Sequence, residues 1–348
     1  MRSPGNGYNG ITVGALGNDL DNPPYSKIAS FSSRGPQDYN GPDGFFSKVR
    51  AVVDIVAPGS NLSLAFYGGT TGGNRGGTDP SAGAVDRYSG NMQGTSFASP
   101  IVAGGASLLV DVAYDRFAVN IDNARDGQVI KAVLLNSAAK PAGWNNGQSA
   151  VNGTVTTSQA LDYSFGAGMM DLDAAFDQFT AGTTDVAGLE GGSIQQVGWD
   201  YGVVSEGLSN DYLFADSLLA GTEFTATLTW FVGREWEDTG LGGGITSTDD
   251  YFTDLSLQLW SLEAGSLDSL IAISDAAFIN TEHFSFLLPE TDEYLLRVGW
   301  EGERYDFSGN SSQTYGLAWS ATAVPEPSVC SVWVACALCL LRRRRAHT

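Results

Sequence analysis

Gly94-Thr95-Ser96-Phe97-Ala98-Ser99-Pro100-Ile101-Val102-Ala103-Gly104-Gly105 turns sharply, places a serine at the turn and then runs on as a helix. Ala98, Ile101, Val102, Gly105, Ala106, Leu109, Val110 and Ala113 recur with a 3.6-residue period, which predicts a helix over residues 96–114. A nucleophilic serine needs its hydroxyl on a tight turn beside backbone N–H groups free to hold a developing oxyanion, and a helix N-terminus supplies those donors. Gly94 permits the turn, and Pro100 is expected in or next to the first helical turn, where a missing N–H costs least. Small residues from Ala103 to Ala106 let the helix lie close against a sheet. On spacing alone, Thr95 or Ser96 acting merely as a helix cap is the commoner arrangement.

Outward from this segment, Ile11–Leu16 and Val52–Ala57 are short β-branched runs ended by Gly or Pro, the pattern of buried parallel strands. A second helix is expected from Gln128 to Ala139. Strands alternating with helices make this stretch α/β. The whole chain has 348 residues and a formal charge of -21. That balance argues against nucleic acid, whose phosphates call for clustered Lys and Arg. Residues 181–323 hold 23 acids against 3 bases, whereas all four lysines and no glutamate lie before residue 180, so a domain boundary is placed there. Cys330, Cys336 and Cys339 are the only cysteines, which removes any disulfide framework or cysteine-bound zinc from the first 323 residues.

Within residues 181–323, Phe224, Ala226, Leu228 and Trp230 alternate with Thr225, Thr227 and Thr229. Leu255–Leu259, Tyr294–Trp300 and Tyr315–Ala321 repeat the period of two, which predicts half-buried antiparallel strands and a β-sandwich. Asp249, Asp250 and Asp254 are candidate oxygen ligands for calcium, against the plainer reading of a solvated acidic face. His283 alternates with Phe284 and Phe286, so it is expected on the solvent side of its strand. After Val324-Pro325-Glu326-Pro327, residues 328–341 carry no charge and Arg342–Arg345 follow. Fourteen residues are short for a stable span, and the arginines mark a cytoplasmic end.

The serine segment resembles the nucleophile motif of subtilisin-like proteases (subtilases, family S8), with Ser96 on the nucleophile. Four further segments resemble family signatures in the same order: Ser3–Ala15, Ser30–Pro36, Asp54–Gly59, and Val129–Leu135 with Phe165–Gly168. Ile101 stands where many members carry a histidine, and the Gly-rich loop Ser60–Asn91 is longer than in compact relatives. The resemblance implies a serine endopeptidase acting on polypeptides through an acyl-enzyme, with the Ser96 backbone N–H in the oxyanion hole and no cofactor required. The family's Asp, His and oxyanion Asn have no counterpart here, so the chain is expected to be the C-terminal part of a longer protease and inactive alone. Its partial sheet, expressed without a partner, is expected to be unstable.

Residues 181–323 resemble, more weakly, the jelly-roll or pre-peptidase C-terminal domains that follow subtilase domains. The tail resembles the PEP-CTERM sorting signal of Gram-negative bacteria. It implies export, transient insertion of helix 328–341 in the inner membrane, removal by an exosortase, and a final place at the cell surface or outside. The expected architecture is therefore a partial α/β subtilisin-like domain (1–180), an all-β sandwich (181–323) and a sorting tail (324–348). The rival is a non-catalytic surface protein with a vestigial subtilase domain.

Overall fold

The computed structural model describes residue 5 and residues 7–17, 24–65, 88–117, 120–182, 192–238 and 245–322. The expected sorting tail with its apolar run 328–341, and most of the Gly-rich loop, lie outside these residues.

The chain opens with β1 (Val13–Gly17), β2 (Lys27–Ile28), β3 (Gln37–Gly41), β4 (Gly44–Arg50) and β5 (Ile55–Pro58). β1 and β5 pair in parallel, Val13 opposite Ile55, and β2 lies antiparallel on the other edge of β1. Strands β6 (Leu62–Ala65) and β7 (Tyr88–Met92) form a separate pair that leads into α1 (Thr95–Arg116). Ala98, Val102, Gly105, Leu109 and Ala113 are buried, a single stripe that packs α1 on β1 and β5. The opposite face leaves Ile101, Leu108 and Tyr114 exposed, at 36%, 55% and 54%. At 22 residues α1 is also long and apolar enough to cross a membrane by length and composition alone.

After α2 (Ile121–Ala124) comes α3 (Gly127–Asn136), started by the Asp126 carboxylate, which accepts the Gln128 N–H at 2.8 Å. Every residue from Gln128 to Asn136 is buried, including Lys131. A helix buried all round must be covered on both sides. One side meets α1 and the apolar cluster around Ile55 and Ala57. The other side meets strands from beyond residue 190.

Those strands are β10 (Gly192–Ile194), β11 (Val197–Ser205), β12 (Ser209–Phe214), β13 (Glu223–Trp230), β14 (Gly233–Asp238), β15 (Ile245–Glu263), β16 (Ser266–Ser274), β17 (Thr281–Leu287), β18 (Tyr294–Asp306) and β19 (Ser312–Thr322). Four of them form a sheet ordered β11-β19-β13-β17, antiparallel throughout. An eight-stranded sheet carries β10, β12, β18, β15 and β16, with β14 on β15. Its far edge is completed by the hairpin β8 (Ser149–Val151) and β9 (Thr154–Thr157), from the earlier half of the chain. Phe224, Leu228 and Leu317 of the smaller sheet share one apolar core with Leu257, Tyr294 and Leu296 of the larger.

The other face of the four-stranded sheet lies on α3 and α4 (Leu172–Ala181). β19 approaches α3 so closely that a Cβ at Gly316 would overlap the backbone of Gln128 and Val129. Trp199 of β11 stacks on Phe179 of α4 with ring centroids 5.2 Å apart, meets Phe117 edge-on at 5.3 Å, and donates its indole N–H to the Phe179 carbonyl at 2.8 Å. The α/β part and the strands therefore share one core.

Because helices cover the sheet's second face, its polar residues are not at the surface. Thr225, Thr227 and Thr229 are buried, and His283 is fully buried rather than solvent-facing. Period two marks two different faces of a strand, but it does not say that either one is wet.

Candidate active site

Ser96 is the second residue of α1, exposed at the mouth of a cleft of about 510 Å³. Gly94 precedes the helix at φ 148°, ψ 151°, and no side chain caps it, so neither Thr95 nor Ser96 acts as the N-cap. Among the described residues nothing hydrogen-bonds the Ser96 hydroxyl. The first N–H groups of a helix have no intrahelical acceptor, so the turn presents free donors beside that hydroxyl. Phe97 N–H already closes on the Gly94 carbonyl at 3.0 Å, and the Thr95 and Ser96 amides find no backbone acceptor among the described residues. Pro100 lies deeper than expected, as the sixth residue of α1, and has no N–H to give the Ser96 carbonyl.

The turn is anchored from below. Gly94 N–H donates to the Gly59 carbonyl at 2.8 Å, tying it to the end of the Asp54–Gly59 segment. Gly59 must be glycine: a Cβ would stand 2.5 Å from that of Ala15 and 3.1 Å from the Gly94 oxygen. Thr95 and Ser96 line the cleft, whereas Gly94 is tied to Gly59 and Pro100 lies further along α1, outside the lining.

Gly5, Gly7 and the residues from Gly10 to Val13 line the rest of the cleft wall, with Ser33 and Ser99 completing it. A buried ion pair fixes that wall. Lys131 Nζ, on α3, lies 2.9 Å from Asp54 Oδ1 and donates to the Gly10 carbonyl at 3.0 Å. The other Asp54 oxygen accepts the Thr12 N–H at 2.6 Å. The strands beyond residue 190 hold the wall as well. The Asn9 amide exchanges two 2.8 Å bonds with the Val232 backbone, and Tyr8 packs on Phe252 at 4.9 Å beneath the Arg50 guanidinium. Burial pushes the Tyr8 phenol well above its ordinary range. The Asn9–Val232 and Tyr8–Phe252 contacts join residues more than 200 positions apart, and no local pattern announces them.

His283 does not line the cleft. It sits beneath Trp144, 5.9 Å away edge-on, with Nδ1 2.7 Å from Thr227 Oγ1. The Thr227 hydroxyl donates to Asn136 Oδ1 at 3.0 Å, so its oxygen must accept from Nδ1–H, and Nε2 is left as a bare, buried acceptor. Burial holds this imidazole far below its ordinary pKa, and the Lys140 charge adds to that. Among the described residues no group of three or more His, Cys, Asp or Glu is placed to hold a metal ion, and Asp249 is paired with Arg234 at 3.0 Å.

Residues 1–168 match Peptidase S8, the subtilase family. No curated protein matches the sequence significantly. Among solved structures, fervidolysin from Fervidobacterium pennivorans, a keratinolytic enzyme related to subtilisin, is 14% identical with a TM-score of 0.32, covering 92% of this chain and 55% of that one. The Yersinia pseudotuberculosis-derived mitogen matches at 12% identity and a TM-score of 0.21, over 37% of this chain and 89% of its own. The periplasmic inhibitor of g-type lysozyme PliG from Aeromonas hydrophila matches at 15% and 0.20, over 35% and 82%. At these TM-scores none of the three bears on function.

Proposed function

We propose that the chain carries the nucleophile-bearing part of a subtilisin-like serine endopeptidase, with Ser96 attacking the peptide carbonyl. The observation that carries this reading is an unengaged serine hydroxyl at an uncapped helix N-terminus, opening on a 510 Å³ cleft, within the residues that match the subtilase family. Oγ adds to the scissile carbon, and the Ser96 backbone N–H donates to the oxyanion. The amine then leaves, and water hydrolyses the acyl-enzyme.

The hydroxyl proton needs a base, and His283 is turned away and occupied. In this reading the family's Asp and His are encoded outside these 348 residues. Loss of the histidine in subtilisin costs about a million-fold in turnover, so these residues alone should be nearly inert. The two facing sheets read as a β-sandwich beside the peptidase part. The tail reads as a sorting signal that exosortase removes after transient membrane insertion, leaving the enzyme outside a Gram-negative cell. No nucleic-acid partner is expected, and calcium remains a proposal for the acidic strands.

A fluorophosphonate probe tests this on the product of the complete reading frame. Serine-specific labelling should map to Ser96 and vanish in Ser96→Ala together with proteolysis; hydrolysis that survives the substitution refutes the reading. The lack of any base at the cleft among the described residues favours one rival, a non-catalytic surface protein. A genuine promoter and start at Met1, with no labelling, would establish it.

A further inference from the structure

The largest cavity among those described lies away from Ser96. It measures about 640 Å³ and sits on the seam where the end of α3 and α4 meet β11, β13 and β19. Ala174, Ala181 and Val197 give it an apolar wall, while Asp177, Glu223 and Lys140 supply charge. Lys140 and Glu223 also line a second cavity of about 370 Å³ with Trp144 and Phe286, so the two residues stand between the chambers.

Lys131, Arg234, Arg297 and Arg304 each hold a carboxylate within 3.0 Å. Lys140 has none within ion-pair distance among the described residues. Lys48 and Arg116 also lack a carboxylate partner among the described residues, but they are exposed, whereas Lys140 is partly buried against the cavity. Its Nζ donates to the Ala138 carbonyl at 3.2 Å and lies 5.1 Å from the centre of the Trp144 ring, and two of its three protons have no protein acceptor among the described residues. A partly buried cation without an anion is costly, and an anion placed beside it would relieve that cost. Consistent with this, burial lowers the amine to about 7 against a smaller opposing pull from Glu223, and the buried His283 feels the same charge.

We propose that this cavity binds an amino-acid-like zwitterion, its carboxylate on Lys140, its ammonium toward Glu223 and Asp177, and its side chain on the apolar wall. Two carboxylates on the rim disfavour a dianion such as phosphate, while a single carboxylate carrying an amine satisfies both signs. The volume accommodates a short peptide as well as a free amino acid, and both present the same groups. This inference does not depend on Ser96 being a nucleophile.

Reductive methylation of the full chain, read by peptide mass spectrometry, tests it. Leucine or the tripeptide Ala-Ala-Leu should slow modification of Lys140 by about tenfold or more while exposed Lys27 and Lys48 react unchanged. The tripeptide amide, which lacks the carboxylate, should not protect. Comparing leucine with the tripeptide separates the two sources of the zwitterion. Calorimetric binding should disappear in Lys140→Met and weaken in Glu223→Gln. Equal protection by acid and amide, or no protection by any of them, overturns the proposal. If Lys140→Met fails to fold, the protection measured on the unaltered chain decides alone.

Discussion

Lys131→Met removes the amine that joins α3 to both Asp54 and the Gly10 carbonyl while keeping most of the side chain's volume. The Lys131 side chain is 4% exposed and that of Asp54 12%, so little water stands ready to replace the amine. Breaking a buried pair by deleting one partner costs about 3–5 kcal/mol, because the remaining charge stays buried and uncompensated. With an unfolding entropy of roughly 2.1 cal/mol/K per residue over 348 residues, that loss lowers the melting temperature by about 4–7 °C. Scanning calorimetry with near-UV circular dichroism measures it. Asp54→Asn added to Lys131→Met should recover about half of the loss, since the carboxamide oxygen still accepts the Thr12 N–H and no charge is stranded. A shift below about 1 °C in Lys131→Met, or a double variant as unstable as the sum of the singles, would show that the pair does not brace the wall of the Ser96 cleft.

Gly316→Ala drives a methyl group into the α3 backbone and should cost about 2–3 kcal/mol, visible as a lower urea midpoint; an unchanged midpoint would mean that β19 and α3 are not in close contact. Asp254 offers a pH test. Burial, reinforced by Asp275, raises its carboxyl from 3.8 to about 7. Between those values the folded protein keeps a proton that the unfolded chain has lost. Its stability is therefore fully present below about pH 4 and is lost as pH rises through 7. Asp254→Asn should leave stability at pH 4 unchanged and raise it at pH 8 by at most about 4 kcal/mol, read from urea midpoints at both; equal effects at the two pH values would refute the assignment. If the proposed function holds, replacing His283 with Asn in the product of the complete reading frame should leave the pH profile of hydrolysis unchanged, because the imidazole does not line the cleft; a shifted profile would give it a role in the chemistry.

What residues 94–105 determine is local, and the structure keeps it. The glycine turn, the exposed serine and the apolar stripe of α1 all depend on contacts within a few positions, which a single chain segment carries whole. The same holds for Asp126 and Asp171, which cap α3 and α4 through N–H groups two and three residues on. Strand periodicity was equally legible along β13, β15, β18 and β19, because alternation follows from the pleat alone. Burial of the polar face was not. Whether Thr227 and His283 meet water depends on α3 and Trp144 arriving from more than ninety residues away in the chain, and alternation is the same with or without them. Lys140 posed the same problem: a lysine near a helix end reads as a surface cation until packing closes a cavity around it. Hydrogen bonds and helix periods are short-range and written residue by residue, whereas exclusion of water belongs to surfaces that exist only once distant segments have met.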